Sequence, residues 1–355
     1  MLALVTHPTL GGGNRLRIEQ YAGLLRQHGI ELDVSAFFDD ATYRVLYQSG
    51  SVGARIAGVL RGIARRLADL TRMRRYELII VYRESAPIGP PLLERAIGAS
   101  GIPYVFDFDD AIWLAPIHPV NRRWSWLRHP SRVEKTARMA RAVIVGNEYL
   151  AERARRWNAD VTIIPTAVDT DRHRPGLAAR PPSPKVIGWV GSSTTALYLR
   201  LLDSPLERLA VSHPSITLRV VGGSHEHPSV PVDIRRYRLD REPEDVAGFH
   251  VGVLPEPDDP WTRGKGAFKA LLYMAAALPV VASRVGVNPV VIEHERTGYC
   301  VDTDDEWVTA LARLLDDDAL RREMGERGRE RVERLYSVRH QGPRLAEVLL
   351  RAAGR

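Results

Sequence analysis

Half of the lysines in this chain stand within a single turn of sequence. Lys occurs only at positions 135, 185, 265 and 269, although Lys and Arg together number 50. Lys265 and Lys269 fall in Trp261-Thr-Arg-Gly-Lys-Gly-Ala-Phe-Lys269, and Asp258, Asp259 and Pro260 break the chain just before it. Gly264 and Gly266 are expected to open a helix here, with Lys265 and Lys269 one turn apart on one face and Leu272 next along it. Two cations at the positive end of a helix dipole cost on the order of a few tenths of a kcal/mol unless an anion joins them. Glycine-freed amides and compact ammonium donors form a cradle for phosphate or diphosphate, which makes Lys265, Gly266 and Lys269 candidate anion ligands. The plain alternative is a solvated helix start.

A second group is Asp107-Phe-Asp-Asp110, three carboxylates at the end of an apolar run. At the carboxyl end of a parallel strand they would raise one another's pKa, and they suit proton transfer, a metal or sugar hydroxyls. Capping of the next helix is the structural alternative. The segment 113–129 adds Trp113, His118, Arg122, Arg123, Trp124 and Trp126, a set able to bind an acceptor by stacking and charge, or simply to pack down. Gly11-Gly-Gly13 after the strand 2–6, and Ser192, Ser193, Thr194 and Thr195 after the strand 185–191, are further loops where a ligand can approach backbone. The first lacks the full dinucleotide-binding glycine spacing.

These residues need elements to hold them. Strands are expected at 2–6, 31–38, 77–83, 103–108, 142–146 and 161–165, then at 185–191, 217–221, 251–254 and 279–283, with helices between. One amphipathic helix is expected from Asn14 to His28. Another covers 51–75, where Val52, Ile56, Val59, Leu60, Ile63, Leu67 and Leu70 make an apolar stripe. That stripe is expected to cover the sheet and leave the arginines solvated. A basic amphipathic segment resting on anionic lipid is the alternative. Four prolines without periodicity over 170–184 read as a linker. The organisation expected is therefore α/β: an N-terminal domain 1–170, a linker 171–184 and a C-terminal domain 185–337, with the helix 338–355 folding back on the first domain. Two parallel sheets would then face a cleft.

With 355 residues, 45% apolar and 26% charged, the chain is expected to be globular and two-domain. Apolar runs such as 270–282 are too short to span a bilayer, and Met1-Leu-Ala-Leu-Val-Thr6 reads as a buried strand, not a signal. A lone Cys300 excludes an internal disulfide and fits a reducing, cytoplasmic setting, at the inner face of a membrane if 51–75 binds lipid. The net charge of +7 favours anionic partners. Nucleic acid is not expected, since no recognition helix or aromatic-basic sheet motif is present.

Several of these stretches together resemble the group-1 (family 4) retaining glycosyltransferases. They are Gly188-Trp-Val-Gly-Ser-Ser193, Arg263-Gly-Lys-Gly-Ala-Phe-Lys269, Tyr273 through Ser283, Gly286-Val-Asn288, Thr297-Gly298, Asp107 through Trp113, Val145-Gly-Asn147 and Ile164 through Asp169. The resemblance implies the GT-B fold, two Rossmann-like domains with parallel sheets facing an interdomain cleft, and hexosyl transfer from a nucleotide-sugar to a hydroxyl acceptor with retention. It implies no tightly bound cofactor or metal. The donor would be UDP-, GDP- or dTDP-linked, and the acceptor a glycan, a lipid-linked species or a small molecule.

By the same resemblance Lys265, Gly266 and Lys269 contact the donor diphosphate, Gly191, Ser192 and Ser193 line it, and Gly12 and Gly13 meet it from the other domain. Asp109 or Asp110 stands beside the transferred sugar, so Asp109, Asp110 and Lys269 are the candidate catalytic residues. Arg15, Trp113 and His118 are the candidate acceptor ligands. The family's paired glutamates align with Gly264 and Leu272, the latter at the ribose-binding position, and the later acidic position aligns with Val290. Their absence supports a rival reading, a catalytically weak GT-B protein that binds a nucleotide-sugar or supports a partner enzyme.

Overall fold

A computed structural model describes residues 1–46, 51–87, 89–114 and 131–355. The chain divides into two compact units, Met1–Thr166 with Val338–Arg355, and Ala167–Ser337.

The first unit is built on six parallel strands, β1 (Leu2–Val5), β2 (Asp33–Ala36), β3 (Ile79–Tyr82), β4 (Tyr104–Phe108), β5 (Ala142–Val145) and β6 (Val161–Ile163), in the order β2-β1-β3-β4-β5-β6. The strands β1, β3, β4 and β5 are buried along their whole length, as expected where helices cover both faces of a parallel sheet. The helix Val338–Ala353 packs with this unit, burying Leu345, Val348 and Leu349. Gly342 permits its close approach, since a Cβ there would stand 2.6 Å from Leu24 Cδ1.

The stretch 14–28 is not one helix. It breaks into Gly13–Arg17, a 3₁₀ turn Glu19–Tyr21 and Ala22–Gln27. The break follows a polar anchor: Asn14 and Thr9 both donate to the Glu19 carboxylate, which draws the chain back at the first turn.

The long helix Val52–Arg72 reverses the expected orientation. Its apolar stripe faces out, with Val52, Ile56, Leu60, Ile63 and Leu67 between 46% and 62% exposed, and Gly58, Gly62, Arg66 and Asp69 are the buried face. The two glycines let the helix backbone lie directly on Thr42 and Phe37, where a Cβ would come within 2.2 and 2.4 Å of side-chain carbons. Arg66 then reaches the sheet. Its guanidinium donates to the carbonyls of Val5, Ser35 and Ser85, to Ser35 Oγ and to Asp69, so that all five donors of the fork are used. Close backbone approach plus a fully satisfied arginine outweighs burial of the aliphatic stripe.

In the second unit β7 (Lys185–Val190), β8 (Ile216–Val221), β9 (Val232–Arg235), β10 (Val251–Leu254), β11 (Val280–Ser283) and β12 (Gly298–Val301) form a parallel sheet in the order β12-β11-β10-β7-β8-β9. Two apolar clusters fill its two faces, one around Tyr273, Phe249 and Met274, the other around Trp189, Leu206 and Trp307. The proline-rich stretch after Asp169 lies against this unit: His173 is buried beside Glu242, Arg180 donates to the Ala247 carbonyl, and Arg329 donates to the carbonyls of Thr170 and Ala275.

Candidate active site

In each sheet the strand order reverses once, between β7 and β10 in the second unit and between β1 and β3 in the first. Ligands of open α/β sheets bind outside the carboxyl ends of the strands at such points.

At the β7/β10 reversal stand Gly191, Ser192 and Ser193 after β7, Glu256 after β10, and the two lysines. A Cβ on Gly191 would lie 2.6 Å from the Trp189 ring and 2.8 Å from Lys269 Cε, so glycine is what allows the lysine stem to cross there. The Lys269 ammonium sits 5.5 Å from the centroid of a Trp189 ring, and that of Lys265 sits 4.7 Å from the Tyr198 ring. Aromatic faces help hold both cations in place. Ser192 and Ser193 are exposed, and Ser192 Oγ lies 2.7 Å from Thr194 Oγ1.

This segment departs from expectation in three ways. The helix starts at Phe268 (Phe268–Ala275), after Ala267 in a left-handed conformation, so Lys265 precedes it and shares no helical face with Lys269. The Asp-Pro run has its own short helix, Pro260–Arg263, because the Asp259 side chain accepts from Thr262 N and proline occupies the first turn; Gly264 ends it. Leu272 is buried at 2% exposure in the apolar cluster around Tyr273, which makes it a core residue and not a donor ligand.

Glu256 joins the lysines here, though no motif in the sequence marks it. Its backbone N–H donates to Ser283 Oγ, Asn288 Nδ2 donates to its Oε2 at 3.1 Å, and Lys265 Nζ lies 3.6 Å from its Oε1. A buried carboxylate therefore stands beside one of the two lysines, at a position no helical pattern could reveal.

In the first unit the aspartates at the end of β4 are each paired. Arg17 donates to both oxygens of Asp107, through Nη2 at 2.8 and 3.1 Å and Nε at 3.2 Å, with both side chains buried. Tyr82 donates its hydroxyl to Asp109 Oδ1 at 2.8 Å. Arg83 bridges Asp109 and Asp110, with Nη2 at 2.7 Å from Asp109 Oδ1 and 2.5 Å from Asp110 Oδ2. Gly13 belongs to this cluster, since a Cβ there would come within 2.8 Å of the Tyr82 hydroxyl. Gly12, at φ +77°, turns the chain into the helix that carries Arg17.

Asp107 and Asp109 depart from their ordinary values in opposite directions. Burial lifts Asp107 to about 6, against the pull of Arg17. Asp109 is also penalised by burial, yet Arg83 and Arg17 and the hydrogen bonds from Arg83 and Tyr82 prevail and hold it below its usual range. Burial raises the Tyr82 phenol well above its usual range, which keeps it a donor.

Of the expected acceptor ligands, Trp113 packs against Phe108, Tyr149 and Trp157, with ring centroids 5.9 to 6.2 Å apart, so its indole is engaged in packing. Arg15 is half-buried on the same short helix as Arg17. His118 lies outside the described residues.

Residues 266–331 match the family described as Glycosyl transferases group 1. The chain is similar to D-inositol 3-phosphate glycosyltransferase from Corynebacterium kroppenstedtii, 30% identical over 206 residues, which is 51% of this chain and 45% of that protein. It thus spans about half the length of the curated relatives it matches. Among solved structures it resembles a sucrose-phosphate synthase from Thermosynechococcus elongatus, with a TM-score of 0.69 at 17% identity over 98% of this chain and 97% of that one. It also resembles Anabaena HepE in complex with UDP-glucose, with a TM-score of 0.67 at 16% identity over 98% of both chains. Both likenesses are of fold, and the fold is GT-B: two units, each a parallel six-stranded sheet flanked by helices.

Proposed function

We propose that this chain, a group-1 glycosyl transferase by the segment it shares with that family and a GT-B protein by its fold, transfers a hexose from a nucleotide-sugar to a hydroxyl acceptor. The observation that carries the reading is the pair of aromatic-held ammonium groups, Lys265 and Lys269, at the strand-order reversal of the second unit. A cleaving nucleotide-sugar leaves as a diphosphate. Lys265, Lys269 and the amides opening Phe268–Ala275 neutralise that charge as it develops, which is electrostatic catalysis without a metal. Ser192 and Ser193 line the phosphates. The leaving phosphate accepts the proton of the incoming hydroxyl on the face it departs from, so configuration is retained and no protein nucleophile is required.

In the first unit Asp109 and Asp110 serve the transferred sugar and the acceptor, with Gly12 and Gly13 admitting the ligand to backbone and Arg15 facing the acceptor. The UDP-glucose bound by HepE supports a uridine-linked donor, and the inositol phosphate glycosyltransferases support a polyol or sugar hydroxyl as acceptor. A panel of UDP-, GDP- and dTDP-sugars tests this directly. One donor should raise the melting point and be turned over, since a ligand of the native state stabilises it. Binding with neither hydrolysis nor transfer to any acceptor would instead support a catalytically weak GT-B protein, the reading favoured by Gly264 and by Leu272 in the core.

Peripheral contact with anionic lipid through 51–75 is part of the proposal, and the outward apolar stripe of Val52–Arg72 now supports it, with Arg55, Arg61, Arg74 and Arg75 around it. Among the described residues no helix is long and apolar enough to cross a membrane. In flotation, the chain is expected to rise with vesicles containing phosphatidylglycerol and to stay down with neutral ones. A Leu60→Glu, Ile63→Glu variant should abolish the effect, and equal recovery of variant and parent would remove this part of the proposal.

A further inference from the structure

Strand β3 ends in a turn that demands an explanation. Arg83 has φ +59°, and the Glu84 N–H closes on the Tyr82 carbonyl at 2.8 Å while the Arg83 N–H donates to the Asp107 carbonyl at 2.7 Å. A three-residue turn with positive φ suits glycine and is costly for arginine. Such strain persists where the surrounding structure enforces it, and it gathers at functional sites. What the turn achieves is the placement of one guanidinium. It lies 5.1 Å above the Tyr82 ring, with Nε 2.8 Å from Asp109 Oδ1, and Nη2 reaches both Asp109 and Asp110. Two carboxylates on successive residues repel each other and have no reason to stay close. Here they are drawn to one fork, and both keep partial access to solvent, at 13% and 20% side-chain exposure.

We propose that Arg83 is a positioning residue: by bridging Asp109 and Asp110 it fixes the first as an ionised anchor and presents the second to a substrate hydroxyl. The inference rests on the reading that this cluster serves the transferred sugar or its acceptor, and it adds a residue that neither the family resemblance nor the strand pattern singles out. A purely structural arginine would leave a strained turn unexplained. Glycine would close the same turn without strain, and Tyr82 already donates to Asp109.

Among the described residues, the charged and titratable groups facing Asp109 are Arg17 from the helix Gly13–Arg17, Tyr82 from β3 and Arg83 just after it, and Asp107 and Asp110 from its own strand end. Arg83 favours the charged form of Asp109. Removing it raises the carboxyl's pKa in the folded protein, so a higher pH is needed to ionise it.

The test compares Arg83→Met and Arg83→Lys with Lys269→Ala and Asp110→Asn, using the nucleotide-sugar that the panel identifies. Arg83→Met is expected to lower kcat by about a hundredfold, with KM for the nucleotide-sugar held within about twofold, since Lys265 and Lys269 lie in the other unit. The acid limb of its kcat/KM profile should move up by about one pH unit. Arg83→Lys, with a charge but no planar fork, should recover part of kcat. A folded Arg83→Met protein with unchanged kcat and an unchanged acid limb overturns the proposal, as does a change confined to KM for the nucleotide-sugar. If Arg83→Met does not fold, Arg83→Lys decides alone: a loss of about tenfold in kcat at constant KM supports the role, and parental kcat refutes it. Failure of the underlying reading looks different, because then Lys269→Ala or Asp110→Asn retains full turnover. Should the parent chain turn over no donor, carbon-13 NMR titration of the aspartate carboxyls remains decisive. Asp109 titrating at the same pH in parent and Arg83→Met overturns the proposal, and a higher pH in the variant supports it.

Discussion

Lys269→Ala is expected to lower turnover by about a hundredfold while leaving the melting point nearly unchanged. The first half follows from what one preorganised electrostatic donor contributes when it meets charge that develops in the transition state. Lys269 is well suited to that task. Its stem crosses the space that Gly191 leaves free, its ammonium rests near the Trp189 ring, and it lies in the first turn of Phe268–Ala275, where amides and dipole also point at an anion. The second half follows because truncation gives up the contact with the Trp189 ring but relieves a cation at the positive end of a helix, opposing terms each worth about 1 kcal/mol or less. Release of nucleoside diphosphate and a thermal melt on the same sample separate the two. Full turnover by the folded variant would remove Lys269 from the chemistry and with it the main support for a diphosphate leaving group.

Arg17→Met should have the largest effect on stability. Methionine fills a similar volume, but it leaves the Asp107 carboxylate without its bidentate partner and the Ile164 carbonyl without the 2.6 Å bond from Nη1. Removing one member of a buried pair costs about 3–5 kcal/mol, which for a chain of this size lowers the melting point on the order of 10 °C. The sign of the pH dependence is set by Asp107. Burial already raises its carboxyl to about 6 in the folded protein, above its ordinary value of 3.8 in the unfolded chain. A raised acid loses stability as pH climbs from the unfolded value through the folded one. Without Arg17 the folded value climbs further, so the deficit should be greatest at neutral pH and shrink toward pH 5. Denaturation curves for parent and variant at both pH values check this, and equal curves at pH 7 would show that the pair contributes nothing.

The sequence shows some of this protein openly and hides the rest for identifiable reasons. Fully buried apolar runs such as Ile79–Tyr82 and Val251–Leu254 read as strands, because a sheet covered on both faces accepts them. Lys265 and Lys269 stood out by rarity. Their local geometry did not, because Asp259 and Pro260 start a helix of their own and the next begins only after Ala267. The orientation of Val52–Arg72 runs against its apolar periodicity for a different reason. Periodicity identifies an apolar face but cannot weigh it against two glycines that admit a neighbouring ring and an arginine with five carbonyl and side-chain acceptors waiting. Arg17, Arg83 and Glu256 were invisible because nothing in a linear pattern marks an ion pair between residues as far apart as 17 and 107. Leu272 fills a core position, although the family resemblance would set a ribose-binding glutamate there.

The first unit is assembled from two separated stretches, 1–166 and 338–355, whereas the second is a single uninterrupted stretch. On the ribosome, then, the later-made unit can finish first. Every residue of Ala167–Ser337 is available for folding before Val338–Ala353 has been polymerised, while the earlier unit still lacks the helix that covers Leu24. Its nascent form waits with an uncovered apolar surface until Val338–Ala353 emerges, an interval in which this polypeptide is open to misassociation.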